Sequence, residues 1–500
     1  MNVAKNRATR REALFGLVIL ACAFLVVAQL LGAGLVDDSY IFLRYARNVH
    51  DGLGTVFNAG DRVEGYTSPL WLALLTPLFR LRNDPAFLAL GLGVFCGLLS
   101  IAIVTFRRSF LSGLFLATQP AFVFWAFSGL ETPLTGALLL LAFLSVTEAK
   151  LGRRRLVFGG FCFALLVLTR PEATALLILA IPIVVSHSSV DWRSKARDLA
   201  SFTLPLVLVG SHLLWRHSYY GAWLPNTYYA KVGIPRSFLL LSGAAYAART
   251  AFGLFPAFTL ALFRRSEHRR AIVFVVLVWV ATTIWDGGDF FPLFRFIVPL
   301  LPLVSLELGQ LRLRAGAAIR QWPATVVVAL LILGANALTL VGGQWTAARS
   351  EVTQAAAWTK VGRTLDAELP RDASMASLVI GGIGYYGRRT TIDMLGLTDW
   401  HIAHFGEVAV GGSPGHQRFD SAYILARRPS LIVLPSSGLV GSPQFTGVGW
   451  PAYSDGQLLR AAALADLCSN AEARRLYEYR FQLLADGTYL EALYLRSSAR

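Results

Sequence analysis

The sequence predicts a polytopic α-helical membrane protein of about eleven spans, followed by an extracytoplasmic α/β domain. Three observations carry that prediction. The 500 residues are 55% hydrophobic and only 15% charged, against about 25% charge in an ordinary soluble domain. Apolar runs approaching bilayer length recur from Ala13 to about residue 343. The basic residues behind the net charge of +16 lie in short clusters between those runs. That is the pattern of cytoplasmic loops, so nucleic acid is not expected as a partner.

The first run, Ala13–Val36, holds 24 residues and at about 1.5 Å per residue reaches roughly 36 Å, enough to cross the hydrocarbon core. Lys5, Arg7, Arg10 and Arg11 precede it like a signal-peptide n-region. The run is too long for the h-region of such a peptide, so it reads as an uncleaved anchor. It ends abruptly in Asp37 and Asp38. Arg44 and Arg47 follow at helical spacing with Tyr40, giving one basic and aromatic face. The bland reading is an N-cap for a helix starting near Ser39. A carboxylate pair at a membrane mouth, with arginines one and two turns on, favours chemistry.

A polar excursion, 37–82, comes next. Its helix should stop at the glycines of Asp51-Gly52-Leu53-Gly54, and Asn58-Ala59-Gly60-Asp61 should turn. Residues 69–81 are apolar but too few to span, and are expected to lie along the outer surface. Further spans are expected near 85–106, 109–127, 132–147, 156–169, 173–186, 199–215, 249–263, 271–285, 293–310 and 323–343. If 69–81 crossed, every basic cluster after the N-terminus would move outside, against the positive-inside rule. The N-terminus is therefore expected inside, and the loop of Asp37 and Asp38 outside. The chain divides into a transmembrane catalytic domain, 1–343, and an extracytoplasmic domain, 344–500. In the latter, 377–380 and 390–394 read as strands. Gly382-Ile383-Gly384-Tyr385-Tyr386-Gly387 matches a dinucleotide-binding fingerprint, but the strand expected at once behind it argues against that use. Cys22, Cys96 and Cys162 sit in apolar spans and Cys468 stands alone in the polar third, so no disulfide framework is implied. Cys468, if exposed, would report the side on which that third lies.

The outward loops gather carboxylates (Asp37, Asp38, Glu64, Glu131, Glu172, Asp286, Asp289), cations (Arg44, Arg170, Lys231, Arg249, Arg295) and aromatics (Tyr66, Trp223, Tyr228, Tyr229). A carboxylate can take a proton from a hydroxyl nucleophile. Arginine or lysine can hold a phosphate leaving group, and aromatic faces suit sugar rings. Each piece has a plainer reading. Arg170-Pro171-Glu172 would serve as an interfacial anchor with a snorkelling arginine, and the tyrosines as an aromatic belt. As a set on one side of a membrane they point to glycosyl transfer from a lipid-linked phosphosugar to a hydroxyl acceptor on a glycan, lipid or protein. Asp37 and Asp38 offer oxygen ligands to a divalent metal, though adjacent residues rarely chelate alone. No other cofactor is called for.

The strings DDSYIFLRYARNVHDGLGTVFNAGDRVEGYTSPLW (37–71), SGLETPL (128–134), LTRPEA (168–173), LPNTYYAK (224–231), GGDFFPLFRFIVPLLP (287–302) and IGYYGRRTTIDMLGLTDWHIA (383–403) resemble one recurring pattern. It is that of the GT-C membrane glycosyltransferases, in the group containing the terminal arabinofuranosyltransferase that caps cell-wall arabinan. The resemblance implies a polyprenyl-phosphate sugar donor, an inverting mechanism in cell-envelope glycan assembly, and catalytic aspartate at the first outer loop, here Asp37 and Asp38. It adds Asn226 to a substrate-binding set of Arg44, Glu64, Tyr66, Glu131, Arg170, Glu172, Tyr228, Lys231, Asp289 and Arg295. The competing class is a multi-pass lipid or glycolipid transporter. That would favour internal repeats and charges near the midplane, whereas no repeat is visible and the charges collect outside. A non-catalytic scaffold leaves the clustered carboxylates unexplained.

Overall fold

The computed structural model describes residues 2–147, 152–187, 191–262, 268–308, 321–409, 415–434, 461–483 and 489–496. Some of the basic residues expected in cytoplasmic loops, Lys150, Arg264, Arg265, Arg312, Arg314 and Arg320, lie outside them. The chain forms two compact units that are discontinuous in sequence. A helical unit takes Met1–Gly34, Phe87–Leu213 and Leu240–Ser350; a mixed unit takes Leu35–Ala86, Leu214–Leu239 and Glu351–Arg500. The compact units therefore do not follow the linear division at 343/344. The physical reason is visible in the helix Asp37–His50, which buries Tyr40 to Ala46 and packs on the helix Gly382–Gly387. The first loop thus buries its apolar face against C-terminal residues.

In the helical unit, Leu14–Leu31 and Ala86–Arg107 are long and apolar enough to cross a membrane, as is Trp192–Tyr220, which runs from this unit into the other. Shorter apolar helices cover Thr132–Thr147, Pro171–Ser186, Val298–Leu308 and Thr325–Leu338. Among the described residues, three helices are long and apolar enough to span, so the eleven expected spans are not confirmed. Proline accounts for part of the difference: the expected span 109–127 is two helices, Phe110–Thr118 and Pro120–Ala126, parted at Gln119. The break is closed by side chains. Gln119 Nε2 donates to Asn336 Oδ1 (2.9 Å), and Asn336 Nδ2 donates to the Phe115 carbonyl and Thr118 Oγ1 (both 2.9 Å), which is how backbone breaks survive in lipid. Large apolar side chains face outward on these helices: Phe15 is 69% exposed, Phe87 71% and Phe252 81%. Water penalises such surface; lipid does not.

The mixed unit is built on a five-stranded sheet. The strands in chain order are β1 (Ser374–Ser377), β2 (Thr390–Asp393), β5 (Leu431–Val433), β6 (Tyr477–Leu483) and β7 (Tyr489–Leu495); β3 (Glu407–Val408) and β4 (Arg418–Phe419) pair separately. The sheet order is β2-β1-β5-β7-β6, with β2, β1 and β5 parallel and β7 antiparallel to both its neighbours. Alternation puts Ala376, Ile392 and Ile432 on one face with Leu464 and Leu467, and Met375, Leu431 and Val433 on the other with Trp358 and Val361. Both faces are covered by helices, as an α/β sheet requires. Cys468 is buried, 3% exposed, so it cannot report sidedness to an impermeant reagent; burial pushes its thiol up to about 12. All four cysteines are free.

Candidate active site

In the mixed unit, the helix Asp37–His50 begins after Val36, which is its N-cap, so neither aspartate is the cap. Both carboxylates stand in the first turn, where the helix dipole favours negative charge. Asp37 is clamped from a distant loop. The Gly382 N–H donates to its Oδ1 (2.8 Å) and the Gly381 N–H to its Oδ2 (3.0 Å). A Cβ at Gly381 would collide with the Asp37 carbonyl, so only glycine brings this loop close enough. A short helix does open at Gly382, but it stops at Gly387 and β2 follows. The glycine-rich loop thus serves the aspartate and does not lead into the long helix a dinucleotide site needs.

One and two turns along, the arginines are structural hubs. Arg44 is buried and donates to five neutral acceptors: the carbonyls of Phe57 (2.7 Å), Gly384 (2.6 Å) and Arg389 (2.7 Å), Thr391 Oγ1 (3.0 Å) and Asn58 Oδ1 (2.9 Å). Those five bonds use all five donors of a guanidinium. Burial, with Arg47 adding to it, pulls the Arg44 guanidinium down to about 9. Arg47 donates to the Tyr385 carbonyl (2.6 Å) and lies over the Tyr385 ring. The hydroxyls of Tyr385 and Tyr386 both donate to Asp84, which also faces Arg363.

Glu64 is buried and paired with Arg216, Nε to Oε2 at 2.6 Å and Nη2 to Oε1 at 3.1 Å. Burial pushes the Glu64 carboxyl up to about 7, against the pull of Arg216; burial likewise raises Asp393 to about 6. The sign follows. Each carboxyl keeps its proton longer folded than unfolded, so its contribution to stability is full below its unfolded pKa and is lost as pH rises through the folded one. We expect the thermal midpoint to fall between about pH 5 and about pH 7.5, measured in detergent solution. Glu64→Gln should lower the curve and flatten it.

Beside this pair, Tyr66 and Tyr220 share a hydroxyl hydrogen bond (3.2 Å), and Tyr45 meets the Tyr66 ring edge-on. Asn226 Nδ2 donates to the carbonyls of Gly396, Leu397 and Asp399, and its N–H to the Glu64 carbonyl. It anchors the turn that carries Tyr228, which is exposed, and Lys231, which is half-buried. The Lys231 side chain makes no hydrogen bond or ion pair with any described residue, while its N–H donates to the Tyr228 carbonyl (2.9 Å).

The helical unit holds a second charged cluster. Arg170 bridges Glu131 (3.3 Å) and Glu172 (3.0 Å). Arg295 grips Asp289 through two bonds, at 2.8 and 3.0 Å. Both guanidiniums lie over the Phe296 ring, at 4.4 and 5.0 Å. Glu131 Oε2 and Glu172 Oε2 are buried with no hydrogen-bond partner among the described residues. The backbone between is strained: Leu293 (φ 54°) and Phe294 (φ 56°) are left-handed, a state costing bulky residues on the order of 1–3 kcal/mol each. Four side chains hold it there. Gln344 accepts from the Leu293 N–H (2.7 Å), Trp125 donates to the Leu293 carbonyl (3.0 Å), Trp279 donates to the Phe296 carbonyl (2.7 Å), and the Tyr246 hydroxyl accepts from the Phe296 N–H (3.2 Å).

The sequence-predicted residues thus fall into two sets, each coherent within its own unit. Asp37, Asp38, Arg44, Glu64, Tyr66, Asn226, Tyr228 and Lys231 belong to the mixed unit; Glu131, Arg170, Glu172, Asp289 and Arg295 to the helical one. Sequence reasoning missed Arg216, which reads as a charge ending an apolar helix, and Asp84, Tyr385 and Tyr386. No group of three or more His, Cys, Asp or Glu is gathered as for a metal among the described residues. Asp37, with each oxygen already taken by a backbone amide, fits poorly as half of a two-aspartate chelate.

Residues 344–484 match a family model described as a domain of unknown function, DUF8728. Over 242 residues the chain is 32% identical to the terminal β-(1→2)-arabinofuranosyltransferase of Mycobacterium tuberculosis, a match covering 41% of this chain and 37% of that one. The enzyme of the same name from Corynebacterium glutamicum is 48% identical over 59 residues, 11% of this chain and 9% of that one. The chain therefore aligns with well under half the length of these curated relatives. Its fold is similar to that in the crystal structure of ArnT from Cupriavidus metallidurans bound to undecaprenyl phosphate, with a TM-score of 0.55, 12% identity and 98% of each chain covered.

Proposed function

We propose that this chain is an inverting membrane glycosyltransferase, moving a sugar from a polyprenyl-phosphate donor to a hydroxyl acceptor at the outer face of the cytoplasmic membrane, in cell-envelope glycan assembly. The observation that carries this reading is the aspartate pair in the first turn after the N-terminal apolar helix, one member fixed by the Gly381 and Gly382 amides. The likeness to arabinofuranosyltransferases supports the reaction class. In this reading Asp38 takes the proton from the acceptor hydroxyl as its oxygen attacks the anomeric carbon. The bond from that carbon to the phosphate oxygen breaks, and polyprenyl phosphate leaves with the electron pair. Asp37, whose two oxygens are already engaged, positions the helix start and adds negative charge. Lys231 holds the leaving phosphate, since Arg44 has no donor left for it and Arg295 already grips Asp289.

Purified full-length protein, given a radiolabelled polyprenyl-phosphate sugar and a hydroxyl acceptor, should release polyprenyl phosphate and labelled product in equal amounts without nucleotide or ion gradient. Movement of intact labelled lipid across vesicles without transfer would favour the transporter instead. Lys231→Gln should raise the donor KM by about tenfold or more, the scale of one charge-assisted phosphate contact, and leave the thermal midpoint unchanged. The proposed sidedness is tested by reporter fusions at Arg500, expected to be active with a periplasmic reporter and silent with a cytoplasmic one.

A further inference from the structure

The mixed unit contains a second candidate site, at the opposite end of the helix that begins with the aspartates. That helix has 14 residues, so its ends are roughly 20 Å apart. Around its last turn lies a cavity of about 490 Å³ lined by five arginines and a single carboxylate, Asp51. The charge there is only partly neutralised, since five arginines are set against Asp51 in the lining and Asp366 outside it. Arg44 is buried with neutral partners only. Arg389 is paired with Asp366, while Arg371 is 79% exposed and 3.8 Å from the same aspartate. Arg388 is exposed and makes no hydrogen bond or ion pair with any described residue.

Arg388 also sits at φ 49°, the left-handed position just past the helix Gly382–Gly387. Glycine takes that position at no steric cost, and a side chain there strains the backbone. A long cation in glycine's place is explained if its guanidinium is used. The cavity wall has a different character. His50 stacks on Phe79, with ring centroids 5.9 Å apart and planes at 29°, and Asn83 adds an amide. Cations beside an aromatic face and amides match a sugar that carries a carboxylate or phosphate.

From this we infer that the cavity between the C-terminal end of the helix Asp37–His50 and the loop Arg388–Thr390 binds an acidic saccharide, remote from the aspartates. It would hold an anionic glycan chain in place while transfer occurs elsewhere on the molecule. The test is equilibrium binding by calorimetry, on the full chain in neutral detergent, with hexagalacturonate, maltohexaose and inorganic phosphate as separate probes. Hexagalacturonate should bind, more weakly as salt rises, and at least about tenfold more tightly than either other probe. Arg388→Gly relieves the backbone, so the protein should melt no lower yet bind hexagalacturonate about tenfold more weakly. Arg371→Gln should weaken it in the same direction. Equal binding of maltohexaose overturns the anionic part of the inference, and equal binding of phosphate overturns the saccharide part. Wild-type affinity in both variants overturns the site. The readout needs no donor and no turnover, so it stands or falls apart from the proposed transfer reaction.

Discussion

Asp38→Asn is expected to accumulate, melt like the wild type, bind the polyprenyl-phosphate donor and lose about 10²–10⁴-fold in turnover, the contribution of a positioned base. Asp37→Asn should behave differently. Its new amide would present N–H groups to either the Gly381 or the Gly382 N–H, both of which now donate to the carboxylate. A donor facing a donor leaves both without an acceptor, at about 1–3 kcal/mol of stability. The pair is therefore separable in one experiment that measures sugar transfer, donor binding and thermal midpoint for both variants. If Asp38→Asn keeps near-normal turnover while Asp37→Asn loses it at an unchanged midpoint, the two assignments must be exchanged. Near-normal turnover in both removes the base from this loop and moves suspicion to Glu131, whose buried oxygen lacks a partner among the described residues.

Arg44→Lys is the second large effect, and it falls on stability. Lysine has three donors on one nitrogen where arginine has five in a planar fork. At least two of the five acceptors, spread over Phe57, Asn58, Gly384, Arg389 and Thr391, would lose their partner. The expected loss is on the order of 2–5 kcal/mol, read as a lower thermal midpoint and a lower yield of folded protein. Donor KM, measured on the fraction that folds, should be unchanged. A stable Arg44→Lys protein with a raised donor KM would return Arg44 to the phosphate-binding role that its position in the sequence suggests. The same logic covers Glu64 and Arg216: removing Glu64 leaves the Arg216 guanidinium buried without its partner, which generally costs about 3–5 kcal/mol.

How much of this was legible beforehand follows from what local pattern can encode. Hydrophobic run length and charge placement were enough for several apolar helices, the helix at the aspartate pair and the strand near Thr390, which depend on neighbours a few residues away. They were not enough for eleven full spans, or for the strand expected at 377–380, which forms at Ser374–Ser377 instead. The same rule fails where proline interrupts a run. The stretch 109–127 has the composition of one span, but Pro120 lacks the N–H that would continue the helix, and the break is closed by Gln119 within it and by Asn336, far along the chain.

The sequence by itself determined the helical, apolar character of much of the chain, and from the carboxylates, cations and aromatics in the loops between apolar runs it led to the proposal of a chemical site there. It also put Asp37 and Asp38 forward as a catalytic pair, and Lys231 only as one of the candidate binding residues, with Arg44 and Arg295 beside it as phosphate-binding cations. Only the tertiary structure decided what each does to its neighbours. Asp37 meets Gly381 across 344 positions of sequence, Arg44 meets Gly384 across 340, and Glu64 meets Arg216 across 152. No periodicity of 3.6 or 2 carries information over such separations. Whether an arginine is a ligand or a buried hub depends on how many of its donors the fold has already satisfied, and that is known only once the distant carbonyls have been brought to it.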